Sequence, residues 1–120
     1  HWFNAADCIF MPSTHEPFGI VALEAMAAHV PLICTSTSGL AEFTHHNENA
    51  FICDQNVESL KLGLDVVLKD KELQSRLIAG GKETAQRMDW HKVARATVEV
   101  YKKAMEIKNA NTIEYTCCNS

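Results

Sequence analysis

Cys8-Ile9-Phe10-Met11-Pro12-Ser13-Thr14-His15-Glu16-Pro17-Phe18-Gly19-Ile20-Val21-Ala22-Leu23-Glu24-Ala25-Met26-Ala27-Ala28 changes character twice within one short stretch. Cys8 to Met11 is a short apolar run stopped by Pro12-Ser13, which predicts a fully buried strand ending in a loop. From about Pro17 to Ala28 the pattern predicts a helix. Proline suits a first helical position, because the N–H it lacks would be unpaired there. Two carboxylates punctuate this unit. Glu16 stands at the mouth of the helix, and Glu24 stands inside it among Ile20, Val21, Leu23, Ala25, Met26 and Ala27. An ionised Glu in apolar surroundings is costly unless something polar meets it, which points to a ligand with hydroxyls.

Further along, the same alternation repeats. Pro31-Leu-Ile-Cys-Thr35 predicts a second buried strand, Ser36 to Gly39 a loop, and Leu40 to Thr44 a single helical turn. His45 to Asn49 reads as a polar turn, and Ala50-Phe-Ile-Cys53 as a third buried strand. The second half reads as helical. Asp54-Gln-Asn56 can cap a helix to about Leu68, Asp70 can cap the next, and Asp89 a third. Gly80-Gly81 predicts a break in the middle one. The last helix carries Trp90, Val93, Thr97, Val100, Tyr101, Ala104 and Met105 as one stripe, read as helix packing rather than a cofactor box. Past Ile107 the chain turns polar and is expected to fray.

Strands joined through helices imply a parallel sheet with right-handed crossovers, covered on both faces. Three strands are few for such a sheet, and the first begins almost at residue 1. The expected architecture is therefore α/β, a partial doubly wound, Rossmann-like parallel sheet with C-terminal helices, forming a piece of a larger domain. Residues 1–108 would make up that piece, and residues 109–120 a polar tail.

Composition narrows the function. The 120 residues carry a net charge of -4 and no Lys/Arg cluster, so nucleic acid and anionic membrane are poor partners. No apolar run is long enough to span a bilayer. His1-Trp-Phe-Asn-Ala-Ala-Asp7 reads neither as a signal peptide nor as a natural start. Of five cysteines, Cys8, Cys34 and Cys53 sit in the apolar strands and read as small core residues, which suits a reducing, cytoplasmic setting. Cys117-Cys118-Asn-Ser has the length of a prenylation box but lacks its aliphatic middle, so a plain tail is the better reading.

In open α/β sheets ligands sit beyond the carboxyl ends of the strands, and Pro12 to Gly19 lies at such an end. The amides of Phe18, Gly19, Ile20 and Val21 should lie in the first turn of the helix without internal partners, making an anion site suited to phosphate. Glu16 can accept hydrogen bonds from sugar hydroxyls. Glu24, about two turns further on, can hold a ribose diol. The two acids would then grip opposite ends of a nucleotide-sugar. Taken singly, Glu16 could be a dipole partner and Glu24 a rim residue facing water. The whole string outweighs those readings. His15 reads as a loop histidine that could still reach a substrate. His45-His46 lacks partners at metal-site spacing, and no metal or cofactor is called for. Cys8 and Cys34 lack an adjacent activating base.

Ala6-Asp7-Cys-Ile-Phe-Met-Pro12-Ser13, Glu16-Pro-Phe-Gly-Ile20, Leu23-Glu24-Ala-Met-Ala27, Pro31-Leu-Ile33 and Gly39-Leu40-Ala-Glu42 resemble retaining glycosyltransferases of the GT-B fold, in the large group of sucrose, glycogen and mannosyl-transfer enzymes. The resemblance implies that Glu16 contacts the donor sugar, as does the backbone at Phe18 and Gly19. It implies that the Ile20 and Val21 amides approach the diphosphate and that Glu24 binds the ribose. The loop Ser36 to Leu40 would border the donor pocket, and His15, Pro17, Ser38, Gly39 and Leu40 join the candidate donor-binding residues.

Three positions depart from the pattern. His29 stands where a glycine usually ends the helix, Ser38 replaces the first of two loop glycines, and Ala50 replaces a glycine before the last strand. The family's acceptor domain and first donor-domain strands would precede this segment. The expectation is therefore the donor-binding part of a hexosyltransferase using a UDP-, ADP- or GDP-linked hexose, inactive on its own. The alternatives are a regulatory nucleotide-binding module without transfer chemistry, or a GT-B epimerase or phosphorylase. A phosphorylase would need a cofactor-bearing lysine, which the sequence does not locate.

Overall fold

The computed structural model describes residues 2–117, without the side chains of Ser38 and of 109–117. The chain divides into two compact units, His1–Arg87 and Met88–Ser120.

In the first unit a 3-10 turn over Phe3–Ala5, absent from the sequence reading, precedes strand β1, Ile9–Met11. There follow α1 (Ile20–Ala27), β2 (Leu32–Thr35), α2 (Ser38–Ala41), β3 (Phe51–Cys53), α3 (Val57–Lys69) and α4 (Lys71–Arg87). The three strands pair in the order β1-β2-β3, all parallel. Central β2 is buried along its whole length, as its unbroken apolar run requires of a strand covered on both faces. Register sets Phe10, Ile33 and Phe51 in one row across the sheet. Over that row Val67, Leu73 and Leu77 of α3 and α4 complete a core with Cys53. Helix α1 packs on β1, β2 and α4.

Two of the predicted caps in this unit form as side-chain hydrogen bonds. Asn56 Oδ1 accepts from the Ser59 N–H at 2.8 Å, and Asp70 Oδ1 from the Leu73 N–H at 2.9 Å. The break predicted at Gly80-Gly81 does not occur, since α4 runs through both. The two glycines serve approach instead. A Cβ on Gly80 would stand 2.3 Å from the Glu48 carbonyl oxygen, and one on Gly81 3.0 Å from Met26 Cγ. Tight packing outweighs the propensity cost of roughly 1 kcal/mol per helical glycine.

The polar turn between Phe43 and Ala50 is bolted to α4. Asn49 is buried. Its Oδ1 accepts from the His45 N–H at 2.7 Å, and its Nδ2 donates to the Phe43 carbonyl at 2.8 Å and to Thr84 Oγ1 at 2.9 Å. Thr84 Oγ1 donates to the Gly80 carbonyl at 3.0 Å and accepts from Arg87 at 3.3 Å. Arg76 donates to the Asn47 carbonyl at 2.9 Å. Asn47 itself takes a left-handed conformation, φ 62°, which asparagine tolerates. At the edge strand, the Ile52 N–H donates to His46 Nδ1 at 3.0 Å, with the imidazole against Phe51.

Helix α1 ends as the His29 departure implies. The Val30 N–H donates to Ala25 and the His29 N–H to Met26, a Schellman closure that puts His29 at φ 60°. Ser38 is helical and Ala50 has no positive φ, so neither replacement strains the backbone.

The second unit contains α5, Trp90–Cys117, capped where Asp89 Oδ1 accepts from the His91 N–H at 2.8 Å. The helix continues past Ile107 rather than fraying. The segment after Ile107 has neither Gly nor Pro, and extending a formed helix costs little per residue. The stripe expected to pack is exposed, with Trp90 at 71% and Tyr101 at 65% of full accessibility. The lipidation reading of Cys117-Cys118-Asn-Ser falls on the Cys117 side chain and residues 118–120, outside what is described. Among the described residues no helix is long and apolar enough to cross a membrane.

Candidate functional site

The candidate residues lie at the carboxyl ends of β1 and β2, where two loops run side by side. The first, Pro12 to Gly19, leaves β1. The second, Ser36 and Thr37, leads into α2. Two hydrogen bonds tie them together. Thr35 Oγ1 donates to the Ser13 carbonyl, and the Gly39 N–H donates to the Glu16 carbonyl at 3.0 Å.

Helix α1 starts past this tie. The helix begins at Ile20 rather than near Pro17, with Gly19 as its N-cap at φ 91°. A right-handed helix cannot include that conformation, and glycine adopts it without steric cost. Gly19 also lies directly over Leu40, because a Cβ on it would come within 2.4 Å of Leu40 Cδ2. Leu40 is fully buried.

The free donors are accordingly fewer than predicted. Glu16 Oε1 accepts from the Gly19 N–H at 3.1 Å, so that amide is already met by the chain's own carboxylate. Phe18 stands outside the helix, its ring 6.0 Å from that of Phe43 between centroids. Among the described residues no hydrogen bond reaches the amides of Ile20 and Val21, the first two of α1. They remain unpaired at the positive end of the helix dipole.

Glu24 is one turn along α1 from those amides and further still from Glu16. At 1.5 Å per residue it stands roughly 6 Å beyond Ile20. It shares the exposed face of α1 with Ile20 and Val21. Its carboxylate therefore keeps its water, and the burial argument for a ligand falls away. Position is what remains: Glu16 on one side of the two open amides and Glu24 on the other. Ile20 and Val21 are each about half exposed beside them, at 49% and 46%.

The other predicted residues divide. His15 and Pro17 are exposed on the loop. Ser38 opens α2, its side chain outside the described residues. Gly39 and Leu40 are buried, and the Gly39 amide is spent on Glu16. Both support the loop from behind, Gly39 through that amide and Leu40 by packing under Gly19. Sequence reading missed Thr35, whose only signal was a hydroxyl-bearing residue closing an otherwise apolar strand. It also missed Thr37, whose buried Oγ1 lacks a hydrogen-bond partner among the described residues.

Burial disfavours the thiolate of Cys8, Cys34 and Cys53. Burial pushes Cys34 up from its ordinary 9.0 to about 12, helped by neighbouring Cys53 and opposed by a hydrogen bond with Thr44. Burial also raises Cys8 and Cys53. Among the described residues no group of three His, Cys, Asp or Glu could hold a metal ion.

Comparison with known proteins places this arrangement. The family described as Glycosyl transferases group 1 matches residues 1–84. An uncharacterized glycosyltransferase of Methanocaldococcus jannaschii is 39% identical over 107 residues, covering 88% of this chain and 27% of that protein. The structure of a sucrose-phosphate synthase from Thermosynechococcus elongatus superposes with a TM-score of 0.83 at 28% identity, over 88% of this chain and 27% of that one. An Anabaena protein solved in complex with UDP superposes with a TM-score of 0.76 at 25% identity, over 85% of this chain and 29% of that one. The chain thus spans about a quarter of the relatives it matches. The expected α/β architecture of the GT-B type holds.

Proposed function

Because this chain belongs to the Glycosyl transferases group 1 family, we propose that it is the donor-binding segment of a retaining hexosyltransferase acting on a nucleotide-sugar. The observation that carries this reading is the pair of unpaired amides at Ile20 and Val21, set between Glu16 and Glu24 beyond the carboxyl end of β1. A diphosphate would sit on those amides. When the sugar–phosphate bond breaks, negative charge grows on the departing diphosphate, and fixed donors stabilise it more than they stabilise the intact substrate.

Glu16 Oε1 is engaged with Gly19, which leaves Oε2 to accept from a hexose hydroxyl. Glu24, one turn along, would accept from the ribose diol. The UDP complex of the Anabaena relative supports a nucleoside diphosphate here. The acceptor would be bound by an N-terminal domain of the same protein, and transfer would need both halves aligned. Buried free thiols at Cys34 and Cys53 suit a reducing, cytoplasmic setting.

The test uses the full-length protein. Release of nucleoside diphosphate is measured with UDP-glucose, ADP-glucose and GDP-mannose, alongside calorimetric affinity for the free diphosphates. Glu16→Ala should lower turnover on the preferred donor by about a hundredfold while leaving diphosphate affinity unchanged. Glu24→Ala should weaken diphosphate binding by about tenfold, the value of one hydrogen-bonded charge. Undiminished turnover in both variants would reject the reading. Binding without turnover in the parent protein would favour the regulatory module.

A further inference from the structure

We infer that Gly39 is a positioning residue for Glu16, holding its carboxylate in place before any ligand arrives; this rests on the functional reading above. Glu16 is held at two ends by backbone amides. The Gly19 N–H grips its side chain at 3.1 Å, and the Gly39 N–H grips its main-chain carbonyl at 3.0 Å. The second grip tolerates no side chain. A Cβ on Gly39 would stand 2.4 Å from the carbonyl carbon and oxygen of Pro17 and 2.5 Å from the Glu16 oxygen. Those atoms are backbone and cannot rotate away, so the whole Glu16–Pro17 segment would have to move. The neighbouring residue works in the same direction. Leu40, fully buried, fills the space beneath Gly19 and leaves that amide where it meets Glu16.

The remaining side of the loop is tied by Thr35 to Ser13. The stretch from Ser13 to Gly19 is thus fastened at Ser13 by the last residue of β2, and at Glu16 and Gly19 by the first turn of α2. Gly39 has no side chain and its N–H is spent on the Glu16 carbonyl, so this contact acts on the site through Glu16. A displacement of about 1 Å at a group that orients substrate can cost up to about a hundredfold in rate.

A double-mutant cycle on the full-length protein tests this. Gly39→Ala should lower turnover on the preferred nucleotide-sugar by at least about tenfold. In a Glu16→Gln background the same change should alter turnover by less than about twofold, because the residue it acts through is already impaired. Affinity for the free nucleoside diphosphate should stay within about twofold of wild type throughout, a readout that general loosening would move. Where Gly39→Ala does not fold, Thr35→Val decides. It removes the Ser13 tie without changing volume and should show the same pattern at about threefold. Equal losses in both backgrounds, or diphosphate affinity falling in step with turnover, would overturn the inference and leave the functional reading standing. Full turnover by both Glu16→Gln and Glu16→Ala would overturn both.

Discussion

Two turns in this molecule look alike as sequence and behave oppositely as structure. The Ser13–Ile20 turn and the Phe43–Ala50 turn are both rich in polar residues, and each contains one residue with positive φ, Gly19 at 91° and Asn47 at 62°. In the second turn the buried polar side chains are satisfied. Asn49 bonds through both Oδ1 and Nδ2, Thr84 Oγ1 both donates and accepts, and Arg76 closes the rim. In the first turn the two amides that open α1 are unspent, and apolar Ile20 and Val21 stand open beside them. Polarity in sequence does not separate scaffold from site. The balance of used and unused hydrogen-bonding capacity does, since unmet donors on a rigid frame are what a ligand can complete.

That contrast can be broken by mutation. Asn49→Leu should cost about 3 kcal/mol of stability, because it strands the His45 N–H and the Phe43 carbonyl and removes a bond to Thr84. Urea denaturation measures it, and a loss below about 1 kcal/mol would mean the second turn is not the scaffold described.

The next effect concerns Cys34, beneath the same turn and bonded to Thr44. Its folded value of about 12 lies above its ordinary 9.0, so the neutral thiol is favoured by folding. The contribution is complete below pH 9 and is lost as pH rises toward 12, at up to about 1.4 kcal/mol per pH unit. Cys34→Ala should flatten that alkaline decline in a melting-temperature series; an unchanged slope would count against it.

At the far end of the site helix, His29→Gly should stabilise by about 1 kcal/mol, because the Schellman closure needs a left-handed residue there. A lower melting temperature would show instead that the imidazole has a role of its own. The smallest effect belongs to the site turn. Glu16→Gln should change stability by no more than about 0.5 kcal/mol, since the amide oxygen can still accept from Gly19. A large loss would make Glu16 scaffold, and the difference between the two turns would vanish.

Much of the fold was legible because its signals are local. Apolar runs at Cys8–Met11, Pro31–Thr35 and Ala50–Cys53 form the three strands, though only β2 is buried throughout while Ile9, Phe10, Phe51 and Ile52 are half-buried, and Asn56, Asp70 and Asp89 cap where their spacing said. What was not legible depends on partners distant in sequence. Gly80-Gly81 reads as a weak point until Glu48 and Met26 are known to press against it. The start of α1 reads as Pro17 until the Gly39 tie is known to hold Glu16 ahead of it. At the site, the Ile20 and Val21 amides open α1 without a hydrogen-bond partner among the described residues, whereas Phe18 stands outside the helix and the Gly19 amide is taken by Glu16. The reason offered for Glu24 did not survive, because a stretch of apolar letters around a carboxylate says nothing about which face of the helix it occupies.

His46 has one last effect. By accepting the Ile52 N–H, its ring plugs a bonding position on the outer rim of β3 that a foreign chain could otherwise extend. Among the described residues a single imidazole thus acts as a selvedge at that margin, meeting a donor otherwise open to another strand.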